Sequence, residues 1–155
     1  MLKAPGSLTI VALAIMRLGQ FCHRSRGLLP AALRPLWWLL DLLILQLCFE
    51  ARISPDVLCG PGLHTQHRMK LVSIDAGVVI GSGVTLLGDT KLVRTPEGSP
   101  TLGTGAFVAT RSAIIGPVNV GEGAVISMGS VVLSDVPGDR MARGNPAALV
   151  EPRPA

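Results

Sequence analysis

Tyrosine is absent from the 155 residues, three phenylalanines and two tryptophans are the only aromatics, and 15% of positions carry a charge. Because 48% of the chain is nevertheless hydrophobic, its interior must be built from small and branched aliphatics rather than from stacked rings. Cationic residues are scattered, and no aromatic platforms sit among them, which argues against a nucleic-acid surface. Cysteine is scarce as well: Cys22, Cys48 and Cys59 are odd in number, far apart and never in a C-x-x-C pair. That argues against a disulfide framework or a structural zinc and points to a reducing cytosol. Long apolar runs are also missing. Leu8 to Met16 is closed by Arg17 with no small-residue cleavage site behind it, unlike an export signal. Leu36 to Phe49 (LWWLLDLLILQLCF) has 14 residues and holds Asp41 and Gln46, short of the roughly 20 that a membrane span needs.

Glycine and proline, by contrast, are plentiful at 18 and 12, which suits short strands joined by tight corners. The length is about one domain's worth. Up to residue 50 the pattern is helical: Ser7 to His23 and Leu36 to Glu50 read as two helices, separated by the link RGLLPAALRP, whose prolines stop and restart the pattern. The second reads as a helix buried against the body of the protein or a sister subunit, with a membrane surface as the lesser alternative.

Beyond Ile53 a six-residue period takes over. Leu102, Val108, Ile114, Val120, Ile126 and Val132 fall six apart, and the residue four further on is Ala106, Ser112, Val118, Ala124, Ser130 or Val136. Ile74, Ile80, Leu86 and Leu92 repeat the spacing, followed by Val78, Val84 and Thr90, and Ile53 and Cys59 start a weaker run. Neither the helical period of 3.6 nor the strand period of 2 generates a period of six. Hexapeptide repeats mean a parallel β-helix, in which each six-residue side supplies an inward aliphatic and a turn and about three sides close a coil. The expected fold is all-β, a parallel β-helix of about four coils preceded by two α-helices, with residues 1–50 as a helical segment, 51–150 as the repeat domain and 151–155 as a tail. The register slips twice, by three residues between Cys59 and Ile74, where His64 and His67 lie, and by four between Leu92 and Leu102, where RTPEGSP projects as a loop.

ISPDVLCGPGLHTQH (53–67), IDAGVVIGSGVTL (74–86) and the closing GEGAVISMGSVVLSDVPGDRMARGNPAALV (121–150) together resemble the hexapeptide-repeat acyltransferase superfamily, in particular its serine acetyltransferase-like and capsule-type O-acetyltransferases. The resemblance implies a left-handed β-helix, a homotrimer with the cofactor cleft between subunits, acetyl-CoA as co-substrate and no metal. It also assigns roles. The His that lies fourteen residues after the first Ile of an I-x-P segment takes the acceptor's proton in that family, and Ile53 plus fourteen is His67. A neutral imidazole is suited to this, because a hydroxyl is a weak nucleophile until its proton is removed. The resemblance sets the backbone of Ala109, Thr110, Ser127 and Met128 along the pantetheine arm and Arg140 and Arg143 near the CoA phosphates. Substrate-side candidates are His64, Arg52 and Ser99.

Two departures bear on the acceptor. Serine-specific members carry an Asp directly before the Ile of I-x-P, where this chain has Arg52; Glu50 and Asp56 are the candidate replacements. They also hold the amino acid's carboxylate with Arg-His-Pro in the projecting loop, where this chain reads Gly98-Ser99-Pro100, with Arg94 at the base as the nearby cation. The expected function is therefore acetyl transfer from acetyl-CoA to a hydroxyl of a small molecule or saccharide, a polysaccharide or glycolipid precursor, with serine O-acetylation for cysteine biosynthesis as one alternative and a non-catalytic β-helix scaffold as another. A zinc hydratase of the γ-carbonic anhydrase type needs three well-spaced His ligands, and His23, His64 and His67 do not supply them. The expected location is cytoplasmic, with peripheral membrane contact through the helices left open.

Overall fold

The computed structural model describes residues 14–15, 17–22, 28–46, 50–65 and 71–150. From Arg52 onward the strands are two to four residues long, and from β4 to β13 each stacks in parallel on the strand three earlier. Three faces result. Face 1 holds β1 (Arg52–Ile53), β4 (Ser73–Ile74), β7 (Lys91–Val93), β10 (Ala113–Ile115) and β13 (Val131–Val132). Face 2 holds β2 (Leu58–Cys59), β5 (Val79–Ile80), β8 (Thr101–Leu102) and β11 (Asn119–Val120). Face 3 holds β3 (His64–Thr65), β6 (Thr85–Leu86), β9 (Phe107–Val108), β12 (Val125–Ile126), β14 (Met141–Gly144) and β15 (Ala147–Val150). The first twelve strands make four complete coils. A fifth is formed by β13, by Val136 bridged to Val120, and by β14, on which β15 folds back antiparallel.

The hexapeptide residues are the core. From Ile74 to Val132 every aliphatic of the six-residue register is at most 2% exposed, and the positions four residues on are buried beside them. Cys59, in the weaker first run, is only half-buried. Most corners turn through a left-handed residue, such as Gly83 (φ 65°), Gly105 (φ 68°) and Gly123 (φ 65°) between faces 2 and 3. Coils stack so closely there that a Cβ on Gly103 would stand 2.6 Å from the Glu122 nitrogen of the next coil, so only glycine fits. The slip between Leu92 and Leu102 becomes a hairpin in which Thr95 and Gly98 exchange backbone hydrogen bonds of 2.9 and 3.1 Å. The other slip runs through residues 66–70, which include His67 and lie outside the described residues.

The helices differ from the sequence expectation. Residues 14–15 and 17–22 are helical (α1), within the expected first helix; His23 lies outside the described residues. The second helix, α2 (Leu28–Leu40), begins inside the expected link and carries Pro35 in its interior, then continues as a π-helical turn, Asp41–Gln46. Pro30 falls in the first turn, where the N–H has no partner to lose. Trp37 and Leu40 pack against the core, and this anchoring outweighs the helix-breaking tendency of Pro35. The α1 side chains tie the helix to the first coil: Gln20 Nε2 donates to Val57 O at 2.7 Å and Arg17 Nη2 to Gly60 O at 3.1 Å. Arg34 Nε links α2 back to Cys22 O at 3.3 Å. The outer side of α2 stays apolar, with Leu36, Trp38 and Leu39 at 49%, 60% and 45% exposure. No helix among the described residues is long and apolar enough to cross a membrane.

Because the inward column is filled, Ile114→Ala should lower unfolding free energy by about 2–5 kcal/mol in urea titration. Leu133→Ala, at 56% exposure one residue outside that column, should change it by less than about 0.5 kcal/mol.

Candidate functional site

The coil register gathers residues distant in sequence at the corner where the chain leaves face 3 and returns to face 1. Ala109 follows β9 and donates its N–H to Ile126 O at 3.0 Å, and Ser127 follows β12 and donates to Ala142 O at 2.9 Å. Thr110 O accepts the Gly129 N–H at 3.0 Å. Arg143, in β14, comes next in the stack, so Ala109, Thr110, Ser127, Met128 and Arg143 share one ridge. Met128 stands out at 75% exposure. Arg140 lies just before β14, at the opposite end of that strand, and its carbonyl accepts the Val125 N–H at 2.8 Å. It is separated from the ridge by the strand's length.

Two features of this corner escaped the sequence reading. Arg111 follows Thr110 in the turn, in the left-handed region (φ 59°), with its side chain 83% exposed and 3.9 Å from the Asp89 carboxylate. A surface pair of that geometry holds little energy, so the guanidinium remains available at this corner. The second is a column of hydroxyls. At the inward position where the other corners carry aliphatics, this corner has Thr90, Ser112 and Ser130, each at most 1% exposed. The Thr90 hydroxyl donates to Leu87 O at 2.6 Å, the Ser112 hydroxyl to Ser127 O at 2.9 Å, and Ser130 Oγ accepts the Gly144 N–H at 3.2 Å. The polar interruption of an otherwise aliphatic register was the signal for it.

The substrate-side candidates divide between corners. His64 faces outward from β3, half-buried, opposite Thr85. It leads by three residues to His67, which lies outside the described residues. Arg52 opens β1, exposed, and its N–H donates to Val72 O at 2.9 Å. Glu50 sits on this same return corner, while Asp56 is in the turn between faces 1 and 2. Ser99 Oγ donates to Ala76 O at 2.9 Å and so pins the hairpin to the coil below.

Arg52 also lines a groove of about 760 Å³ whose wall includes Arg94, Thr95, Ser54, Asp75 and Asp41. The two arginines that the sequence left as separate possibilities thus border one cavity. The Cys59 thiol is pushed up by burial, with Arg17 pulling the other way, which keeps it protonated and a poor nucleophile. Among the described residues no three His, Cys, Asp or Glu side chains come together as a metal site.

No protein-family model matches the chain. It is 34% identical over 119 residues to serine acetyltransferase 2 of Arabidopsis thaliana, a match covering 69% of this chain and 36% of that protein. Its fold matches a soybean serine acetyltransferase complexed with serine at a TM-score of 0.76 and 32% identity, covering 91% of this chain and 56% of the other. A serine acetyltransferase in complex with CoA matches at 0.77 and 25%, over 90% and 55%. The chain spans about a third to just over half of the length of these proteins.

The hydroxyl column should be measurable in isolation. Ser112→Ala leaves the Ser127 carbonyl without its side-chain donor and should cost about 1 kcal/mol. Amide exchange at 127–129 should speed up more than exchange in β5, and Ser112→Thr should restore most of the protection.

Proposed function

From the premise of a left-handed hexapeptide-repeat β-helix of the acyltransferase type, we propose that this chain transfers an acetyl group from acetyl-CoA to the hydroxyl of a serine-type acceptor. The observation that carries this is the likeness, over 91% of the chain, to a serine acetyltransferase complexed with serine. The preference for a saccharide acceptor rested on the lack of a cation in the Gly98-Ser99-Pro100 loop. With Arg52 and Arg94 on one groove, that ground falls away and serine is the better supported acceptor.

In this reading the neutral His67 imidazole takes the hydroxyl proton as the oxygen attacks the thioester carbonyl carbon. The tetrahedral intermediate then breaks its C–S bond, and the imidazolium hands the proton to the departing sulfur. Backbone N–H groups at the turns would stabilise the oxyanion. Glu50 is the better placed replacement for the missing acid, being on the return corner where Asp56 is not. The ridge of Ala109, Thr110, Ser127 and Met128 would line the pantetheine arm, and Arg143 with Arg111 would meet phosphate groups. Arg140, at the other end of β14, is less well placed.

A homotrimer is part of the proposal. The outward residues of face 3 run Phe107, Val125, Met141 and Val150 in direct register, an apolar stripe that a second subunit would cover. Light scattering should give three times the chain mass of 16.2 kDa, and a stable monomer at micromolar concentration would count against a site between subunits. His67→Ala should lower kcat by roughly 10² to 10⁴ with the thermal transition unchanged; full turnover in that variant would rule out the base assigned here. Calorimetric binding of acetyl-CoA separates the enzyme from a scaffold, which should bind none.

A further inference from the structure

The helix α2 is apolar on two sides, and packing on the solenoid accounts for only one of them. Trp37 and Leu40 turn inward against the core. The arc left outside holds Leu36, Trp38 and Leu39 at 49%, 60% and 45% exposure. Leu36 and Leu39, three residues apart, form one stripe, and Arg34, itself exposed, stands four residues before Trp38 on the same side. Phe21, at 46% exposure, lies on α1, which abuts α2 where Gly19 meets the Trp37 indole. Scattered single apolar residues are ordinary on a surface, whereas a contiguous arc rimmed by charge marks a contact surface.

Charge is sorted between the two parts of the chain. Residues 1–49 carry Lys3, Arg17, Arg24, Arg26 and Arg34 against a single acid, Asp41, while residues 50–155 carry nine cations and nine acids. The whole net charge of +4 therefore belongs to the segment that bears the exposed arc. Its one acid lines the groove against β1 and β4, on the body side of the helix.

This pairing of charge and apolar area selects among occupants. A second copy laid on the arc would bring two equally cationic segments together, and a nucleic acid would use the cations but leave Leu36 and Leu39 in water. An anionic lipid surface uses both: an indole sits at headgroup level, leucines enter the acyl boundary and arginines meet the phosphates. We propose that the N-terminal helical segment docks the protein on anionic bilayers, with α2 lying in the interface on Leu36, Trp38 and Leu39 and with Arg34 on the lipid phosphates. The contact is peripheral, since no helix among the described residues is long and apolar enough to cross a membrane. It goes beyond the acetyl-transfer reading and does not depend on it.

The test is co-sedimentation with vesicles of phosphatidylcholine alone or with phosphatidylglycerol at about a third of the lipid, at low and high salt. The wild-type protein should pellet with the anionic vesicles, remain in solution with the neutral ones and be released by salt. Because Trp37 and Trp38 are the only tryptophans, binding should also shift the fluorescence to the blue, and Trp38→Ala should abolish that shift. Trp38→Ala, and Leu36→Ser combined with Leu39→Ser, should each weaken partitioning roughly tenfold or more, and Arg34→Gln roughly fivefold. All four side chains are exposed, so thermal transitions and turnover of soluble substrates should stay unchanged. Wild-type protein that ignores anionic vesicles, equal binding to neutral ones, or undiminished partitioning in both apolar variants would overturn the proposal. Light scattering gives the remaining outcome: an assembly larger than a trimer that falls to a trimer in the Leu36→Ser, Leu39→Ser variant would assign the arc to a second copy and overturn the lipid reading. Lost turnover with intact vesicle binding would instead overturn the acetyl-transfer reading alone.

Discussion

Each coil of this chain is held by the backbone hydrogen bonds it exchanges with the coils above and below, and the rest of the structure depends on that ladder. Ser54 donates to Ile74 O, Asp75 to Leu92 O, Gly81 to Leu102 O, Gly103 to Val120 O and Gly121 to Val136 O, all between 2.7 and 3.0 Å. Strands of two residues have no stability alone, so they persist only because a neighbour satisfies them on each side. The ladder sets the spacing between coils, the spacing dictates one inward side chain per face, and that requirement is the six-residue period. It also dictates where the chain can vary. Extra residues can leave the stack only at corners, as the hairpin at Thr95 to Gly98 does.

The corners are consequently where chemistry can be built, and this molecule treats them unequally. Two are lined inside by aliphatics; the return corner is lined by Thr90, Ser112 and Ser130, whose hydroxyls engage turn backbone groups. A buried hydroxyl is tolerated only when it is bonded, and here the bonds reach the segments that frame the exposed ridge. Rigidity is thereby delivered to the residues proposed to meet acetyl-CoA, by side chains that would never touch it. The groove on face 1 uses a different device, in which Asp75 and Ser99 brace the hairpin that presents Arg94.

The ends of a solenoid are unpaired edges and must be covered. At the first coil α1 supplies Gln20 and Arg17 to backbone carbonyls. At the last, β15 folds back along β14. The apolar outer side of α2, with Trp38 at 60% exposure, is more than these capping roles require.

The inward column, the three-sided coil, the two slips and the all-β class were legible in the sequence because the period of six is imposed by backbone stacking and recurs regardless of which aliphatic fills each place. The resemblance of three segments was legible for the same reason: turns and closing residues are local. The start of α2 was not, since Pro30 and Pro35 read as breakers, whereas Pro30 is harmless in the first turn and packing of Trp37 and Leu40 against the core outweighs Pro35. Nor could the sequence say which candidate residues would meet. Ala109, Ser127 and Arg143 are far apart along the chain and become neighbours through coil register, whereas Arg140, three residues from Arg143, ends up at the other side of a strand. Arg52 and Arg94 come to one groove from different coils, and Ser99 is drawn into bracing the hairpin. Sequence alone determined the repeat, because a periodic backbone demands a periodic side-chain pattern; only the tertiary structure decided the sites, because a site is a set of neighbours and neighbours here are set by the coil above and below.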